Sequence, residues 1–93
     1  MAGGRRDVAP RVEVVWLDTE EDPTWQDSKK AAATTCPVCR TYGQLLSIRD
    51  DAVVVATTMN HTECSRVTIP RGCVQAIYAL KRNGAYRGAN ETE

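Results

Sequence analysis

Apolar and β-branched residues fall into short runs along this chain, each bounded by polar or turn-forming residues, and one intervening stretch carries a helix signal. Arg11-Val12-Glu13-Val14-Val15-Trp16-Leu17 alternates so that Val12, Val14 and Trp16 share one face, which predicts a first strand. Arg40 to Ile48 predicts a second, with Gly43 inside it. A glycine within a strand pattern points to a sharp bend or a close backbone approach. Arg49-Asp50-Asp51-Ala52 reads as a turn, and the nearly continuous β-former run Val53 to Met59 completes a hairpin. After the polar loop Asn60 to Ser65, Arg66-Val67-Thr68-Ile69 places Val67 and Ile69 on one face. Pro70 ends that ladder, and Arg71-Gly72-Cys73 turns into a last strand reaching Leu80.

Between the first two strands, Asp18-Thr19-Glu20-Glu21-Asp22-Pro23 is acidic and turn-like. Asp22 before Pro23 also has the form of an N-cap with proline in the first helical position, predicting a short helix from Pro23 to about Ala33. Its one large apolar residue is Trp25, so the helix is expected to lie across an open end of the fold rather than present a broad apolar face. The alternative is an ordered loop anchored by Trp25. The fold class predicted is mainly β, a small five-stranded, strongly bent barrel over residues 10–82. Residues 1–9 and 83–93, rich in Gly, Asn and charge, read as untethered tails.

Length and composition narrow the functions. Ninety-three residues make one domain with a thin core, for which a partner subunit, a metal or a disulfide is a natural support. The 12 basic and 12 acidic side chains balance, which disfavours a dedicated duplex-DNA or membrane-surface binder. No Phe occurs, so a stacking platform would depend on Trp16, Trp25, Tyr42, Tyr78 and Tyr86. No apolar run approaches bilayer length and the start has no signal-peptide core, so a cytoplasmic protein is expected.

Gly43, Leu45, an acidic turn at Asp50, then Ile69, Arg71-Gly72 and Ile77 resemble the two-part motif of the Sm-like group of SH3-type barrels, with Pro70 inserted before Arg71. At finer grain, the following combination is similar to short accessory proteins of tailed bacteriophages and prophages: Trp16 with Asp18, Trp25, Thr41 to Leu46, Asp51 before Val54-Val55-Ala56, and Ile69 to Val74. That resemblance spans roughly residues 11–80. It implies a viral protein acting in the bacterial host cytoplasm and transfers no catalytic residue.

Cys36-Pro37-Val38-Cys39 and His61-Thr62-Glu63-Cys64 repeat a two-residue ligand spacing, so Cys36, Cys39, His61 and Cys64 are a candidate structural zinc site with every position filled by protein. Arg40 stands where zinc ribbons usually carry Gly. A redox pair at Cys36 and Cys39 would need a helix N-terminus beneath it, whereas the chain continues into a strand. Free thiols in a reducing compartment are the remaining reading. Cys73 is expected to be a small buried hydrophobe. His61 sits in a loop without a nucleophile motif, Asp50-Asp51 suit a turn better than acid-base chemistry, and Glu20-Glu21-Asp22 suit a solvated loop.

Four residues are candidates for ligand contact. Trp16 and Trp25 offer stacking surfaces, against the competing demand of a barrel without Phe for large packing side chains. Arg66 and Arg71, with Lys81 and Arg82 nearby, offer phosphate contacts, against a merely solvated basic face. Open edge strands favour homo-oligomers, with repeated pockets at the seams. The leading expectation is a non-enzymatic accessory protein that sequesters a small nucleotide or a host protein to counter antiviral defence. A single-stranded RNA binder of Sm type and a zinc-stabilised interaction module are the alternatives.

Overall fold

The computed structural model describes residues 9–82, so the expected tails at 1–9 and 83–93 lie outside the described residues apart from Ala9. The chain is mainly β. Its elements are β1 (Arg11–Leu17), α1 (Ser28–Ala32), β2 (Val38–Ile48), β3 (Ala52–Met59), β4 (Cys64–Pro70), a 3-10 turn (Arg71–Cys73) and β5 (Val74–Ala79). All five strands join one open antiparallel sheet in the order β4-β3-β2-β1-β5.

The alternation of β1 decides which residues face inward. Val12 and Val14 are buried with Val53, Val55 and Ile69, and Trp16, Leu45, Val67, Cys73, Val74 and Ile77 pack around them. Side chains from both ends of the sheet, Val67 and Ile69 on β4 and Val74 and Ile77 on β5, thus reach one core. A flat sheet with strands about 4.8 Å apart would keep them well separated, so the sheet must curl strongly. Cys73 sits half-buried against the core, in line with its expected packing role.

The β2–β3 hairpin turns at Asp50-Asp51 as predicted, with the Arg49 amide donating to the Ala52 carbonyl at 2.8 Å. Pro70 is the last residue of β4 and still pairs with Ala52. A terminal position suits it, since proline accepts through its carbonyl but donates no ladder bond. The loop expected at Asn60 to Ser65 is shorter than predicted, because Cys64 and Ser65 already pair with Met59 and Thr58.

The helix differs most from expectation. It has five residues rather than spanning Pro23 to about Ala33, and its N-cap is Asp27, which accepts from the Lys30 amide at 3.2 Å. Asp22 instead accepts from the Thr24 amide at 3.0 Å and the Thr24 hydroxyl at 2.6 Å. This local turn competes with helix initiation at Pro23. No residue of α1 is buried, so no packing energy extends it.

Candidate ligand-binding site

Gly43 is where the sheet divides. β2 pairs with β1 from Val38 to Gln44, and with β3 only from Gln44 onward. Past Ala56, β3 continues with β4 alone as far as Met59. The first half of β2 and the last residues of β3 therefore diverge like the arms of a fork. At the crotch the backbones almost touch: a Cβ on Gly43 would lie 2.1 Å from the Ala56 carbonyl oxygen and 2.8 Å from Val55 Cγ1. The close approach expected of this glycine is present, and no other residue fits there. Register shifts at Leu45/Ser47 in β2 and at Ala56/Thr58 in β3 flank it and absorb the bend.

A depression of about 200 Å³ opens in this fork, lined by Arg11, Gly43, Gln44, Ala56, Thr57, Thr58 and Met59. Its neighbour, a hollow of about 550 Å³, shares Thr58 and Met59 and continues over the β3–β4 turn to Asn60, Glu63, Cys64 and Ser65. The Asn60 side chain organises that turn by accepting from the Thr62 and Glu63 amides at 2.9 and 2.7 Å. Cross-strand register places Arg11, Gln44, Ala56 and Arg66 in one row across four strands.

A second ordered surface lies on the face of β1, β2 and β5 away from the core. The Glu13 carboxylate accepts from Arg40 Nη1 at 2.8 Å and from the Tyr42 hydroxyl at 3.1 Å. The Tyr42 hydroxyl is held protonated above its ordinary range, chiefly by that hydrogen bond and further by a small loss of solvation and the nearby carboxylate charge. The Arg40 guanidinium is likewise pushed up, first by its hydrogen bond to Glu13. Tyr78 pairs with Glu13 from β5 and stands half-exposed like Tyr42. Sequence reasoning missed this cluster. Its signal was the polar phase of the strand alternation, Glu13 against Arg40 and Tyr42, but the pairing depends on a register that only the folded sheet supplies.

The predicted site residues separate. Trp16 is half-buried on the core and its indole N–H donates to the Thr41 hydroxyl at 3.0 Å, the packing alternative rather than a stacking platform. Trp25 stands fully in solvent at 101% exposure, so it neither anchors the loop nor covers an open end of the sheet. Arg71 is tied up locally: its Nη1 donates to the Arg49 carbonyl and its backbone amide to the Asp51 carbonyl, both at 2.9 Å. Arg66 is exposed, with one bond to Thr68 at 2.8 Å, and remains available for a ligand.

The candidate zinc ligands are not brought together. Among the described residues, no group of three or more His, Cys, Asp and Glu side chains is placed to hold a metal ion. The fork is the reason: Cys39 follows β1 opposite Trp16, while Cys64 belongs to the β3–β4 hairpin, whose loop holds His61. Cys36, Cys39, Cys64 and Cys73 are all free thiols. Among the described residues, no helix is long and apolar enough to cross a membrane. Comparison with family models, curated proteins and solved structures gave no match, so the reading of this site rests on its own residues and geometry.

Proposed function

We propose that this chain is a non-enzymatic ligand-binding protein that works as a homo-oligomer, a bent barrel of SH3 type with Sm-like strand order. The observation that carries this reading is that β4 and β5 are the two outer strands of an open sheet. Among the described residues, each has one edge of backbone N–H and C=O groups without a strand beside it in the sheet. Pairing β4 of one copy with β5 of the next would satisfy those groups and hide two edges that otherwise invite indiscriminate association. The curled core, the glycine crossing at Gly43 and the single 3-10 turn between β4 and β5 support the barrel assignment.

Sequestration suits such an assembly, because it needs copies and pockets rather than a reacting group. The resemblance to short phage accessory proteins supports action in the cytoplasm of an infected bacterium, with a nucleotide or a host factor as the captured ligand. Native mass spectrometry of freshly purified protein tests the proposal. A closed dimer or ring retaining a nucleotide-sized adduct is the expected spectrum. A bare monomer at all concentrations would overturn it, and adducts that grow with oligonucleotide length would transfer the function to single-stranded RNA.

A further inference from the structure

We infer that the fork between β2 and β3 is a mononucleotide site within a single protomer, its phosphoryl group in the small depression at Gly43 and its base over Met59 in the adjoining hollow. The inference rests on the ligand-binding reading above, but it assigns the ligand class and places the site within one protomer rather than between subunits.

Charge and hydrogen-bond complementarity select the occupant. Arg11, Gln44, Thr57 and Thr58 line the small depression with a guanidinium, a carboxamide and two hydroxyls, and among the described residues no Asp or Glu lines it. Such a set donates to an anion without opposing it, and a guanidinium matches phosphate oxygens in two-point geometry. The position a Gly43 side chain would take is filled by the Ala56 carbonyl and Val55, so the anion's place is the open depression beside that crossing, about 200 Å³, where the Ala56 methyl is itself buried. Arg66 stands in cross-strand register with Ala56 on the far side of the row, a second cation from the opposite strand.

The larger hollow has a different character. Met59, 46% exposed, belongs to both depressions and supplies a polarizable apolar thioether for contact with a planar ring. Beyond it lie the Ser65 hydroxyl, the Asn60 carboxamide and the Glu63 carboxylate, of which the carboxylate accepts hydrogen bonds from exocyclic amino or ring N–H groups. The acidic group is thus at the base end and the basic one at the phosphate end. Together the volumes fall in the usual range of small-molecule sites, roughly 300–1,000 Å³.

The test is a titration of the full-length protein with adenosine monophosphate, and separately with inorganic phosphate, followed by amide chemical shifts and calorimetry. Adenosine monophosphate is expected to shift the amides of Arg11, Gln44 and Thr57 to Ser65, and to bind more tightly than phosphate. Arg11→Met should weaken both ligands by about tenfold, the loss of one charge-assisted contact. Met59→Ala should weaken the nucleotide by a larger factor than it weakens inorganic phosphate. Absence of shifts at the fork, equal affinity for the two probes, or an Arg11→Met variant that binds normally would each overturn the inference. Nucleotide binding at the fork by a monomer would sustain it while the oligomer falls. Shifts along Arg66 to Pro70 of β4 and along β5 in an oligomer, with none at Arg11, Gln44 or Thr57 to Met59, would sustain the oligomer and overturn the fork.

Discussion

A methyl group added at Gly43 would meet a backbone carbonyl at 2.1 Å, and a carbonyl in the β2–β3 ladder has nowhere to move without parting the strands. Gly43→Ala is therefore expected to cost about 3 kcal/mol or more, at or beyond the upper end for overpacked sites. Gly72 is the natural control, because a Cβ there would meet nothing within 4 Å, and Gly72→Ala should stay within about 0.5 kcal/mol. Urea unfolding of both variants checks the contrast, and equal stabilities would mean the crossing is not as close as described. Tyr42 supplies a pH prediction at the same scale. Its folded pKa is raised by Glu13 above the unfolded tyrosine value of about 10. Its contribution is thus present below that pH and lost as pH rises through the folded value. Absorbance titration of the phenolate, with Tyr42→Phe for assignment, should show the Tyr42 midpoint falling in Glu13→Gln. An unmoved midpoint would show that the bond does not form in solution.

At the scale of elements, the connection from β4 to β5 is held by Arg71, through its side chain and its backbone amide together. Arg71 reaches back to the Arg49 carbonyl while its amide bonds Asp51, so the 3-10 turn is fastened to the β2–β3 turn. Arg71→Ala removes the side-chain bond and leaves the backbone one, with an expected loss of about 1 kcal/mol. The more telling readout is hydrogen exchange, which should speed up at Arg71 to Val74 and leave β1 unchanged. Uniform protection across both would show that the turn holds without the guanidinium. The strand runs, the Asp50-Asp51 turn, the end of β4 at Pro70 and the special status of Gly43 were all legible in the sequence, because each follows from side-chain alternation or from the backbone limits of Gly, Pro and Asp over a few residues. The helix was not legible at its true bounds. Asp22 and Asp27 are both competent caps, and the choice between them turned on whether Asp22 closes a local turn on Thr24.

For the whole molecule, the divergence of β2 from β3 separates two pairs of ligand-type residues that look matched on paper. A chelator is accordingly expected to leave the thermal unfolding midpoint unchanged in metal-equilibrated protein, measured by circular dichroism. A fall of several degrees would mean that Cys36, Cys39, His61 and Cys64 converge after all. Trp16 and Trp25 teach the same lesson, since one lies against the core and the other in solvent although both are large aromatics in a chain short of them. Local physics was enough to specify a mainly β chain with its turns, a buried alternate face on β1 and a glycine that strands must approach. Those properties depend on φ/ψ limits and on a side-chain period of two, which act between near neighbours. The partner switch at Gln44, the Glu13 contacts with Arg40 and Tyr42, the recruitment of Arg71 to a turn and the depression at the fork join residues far apart along the chain. They exist because the sheet curls to give a thin core one shared interior, and that curvature is fixed by packing among all five strands together.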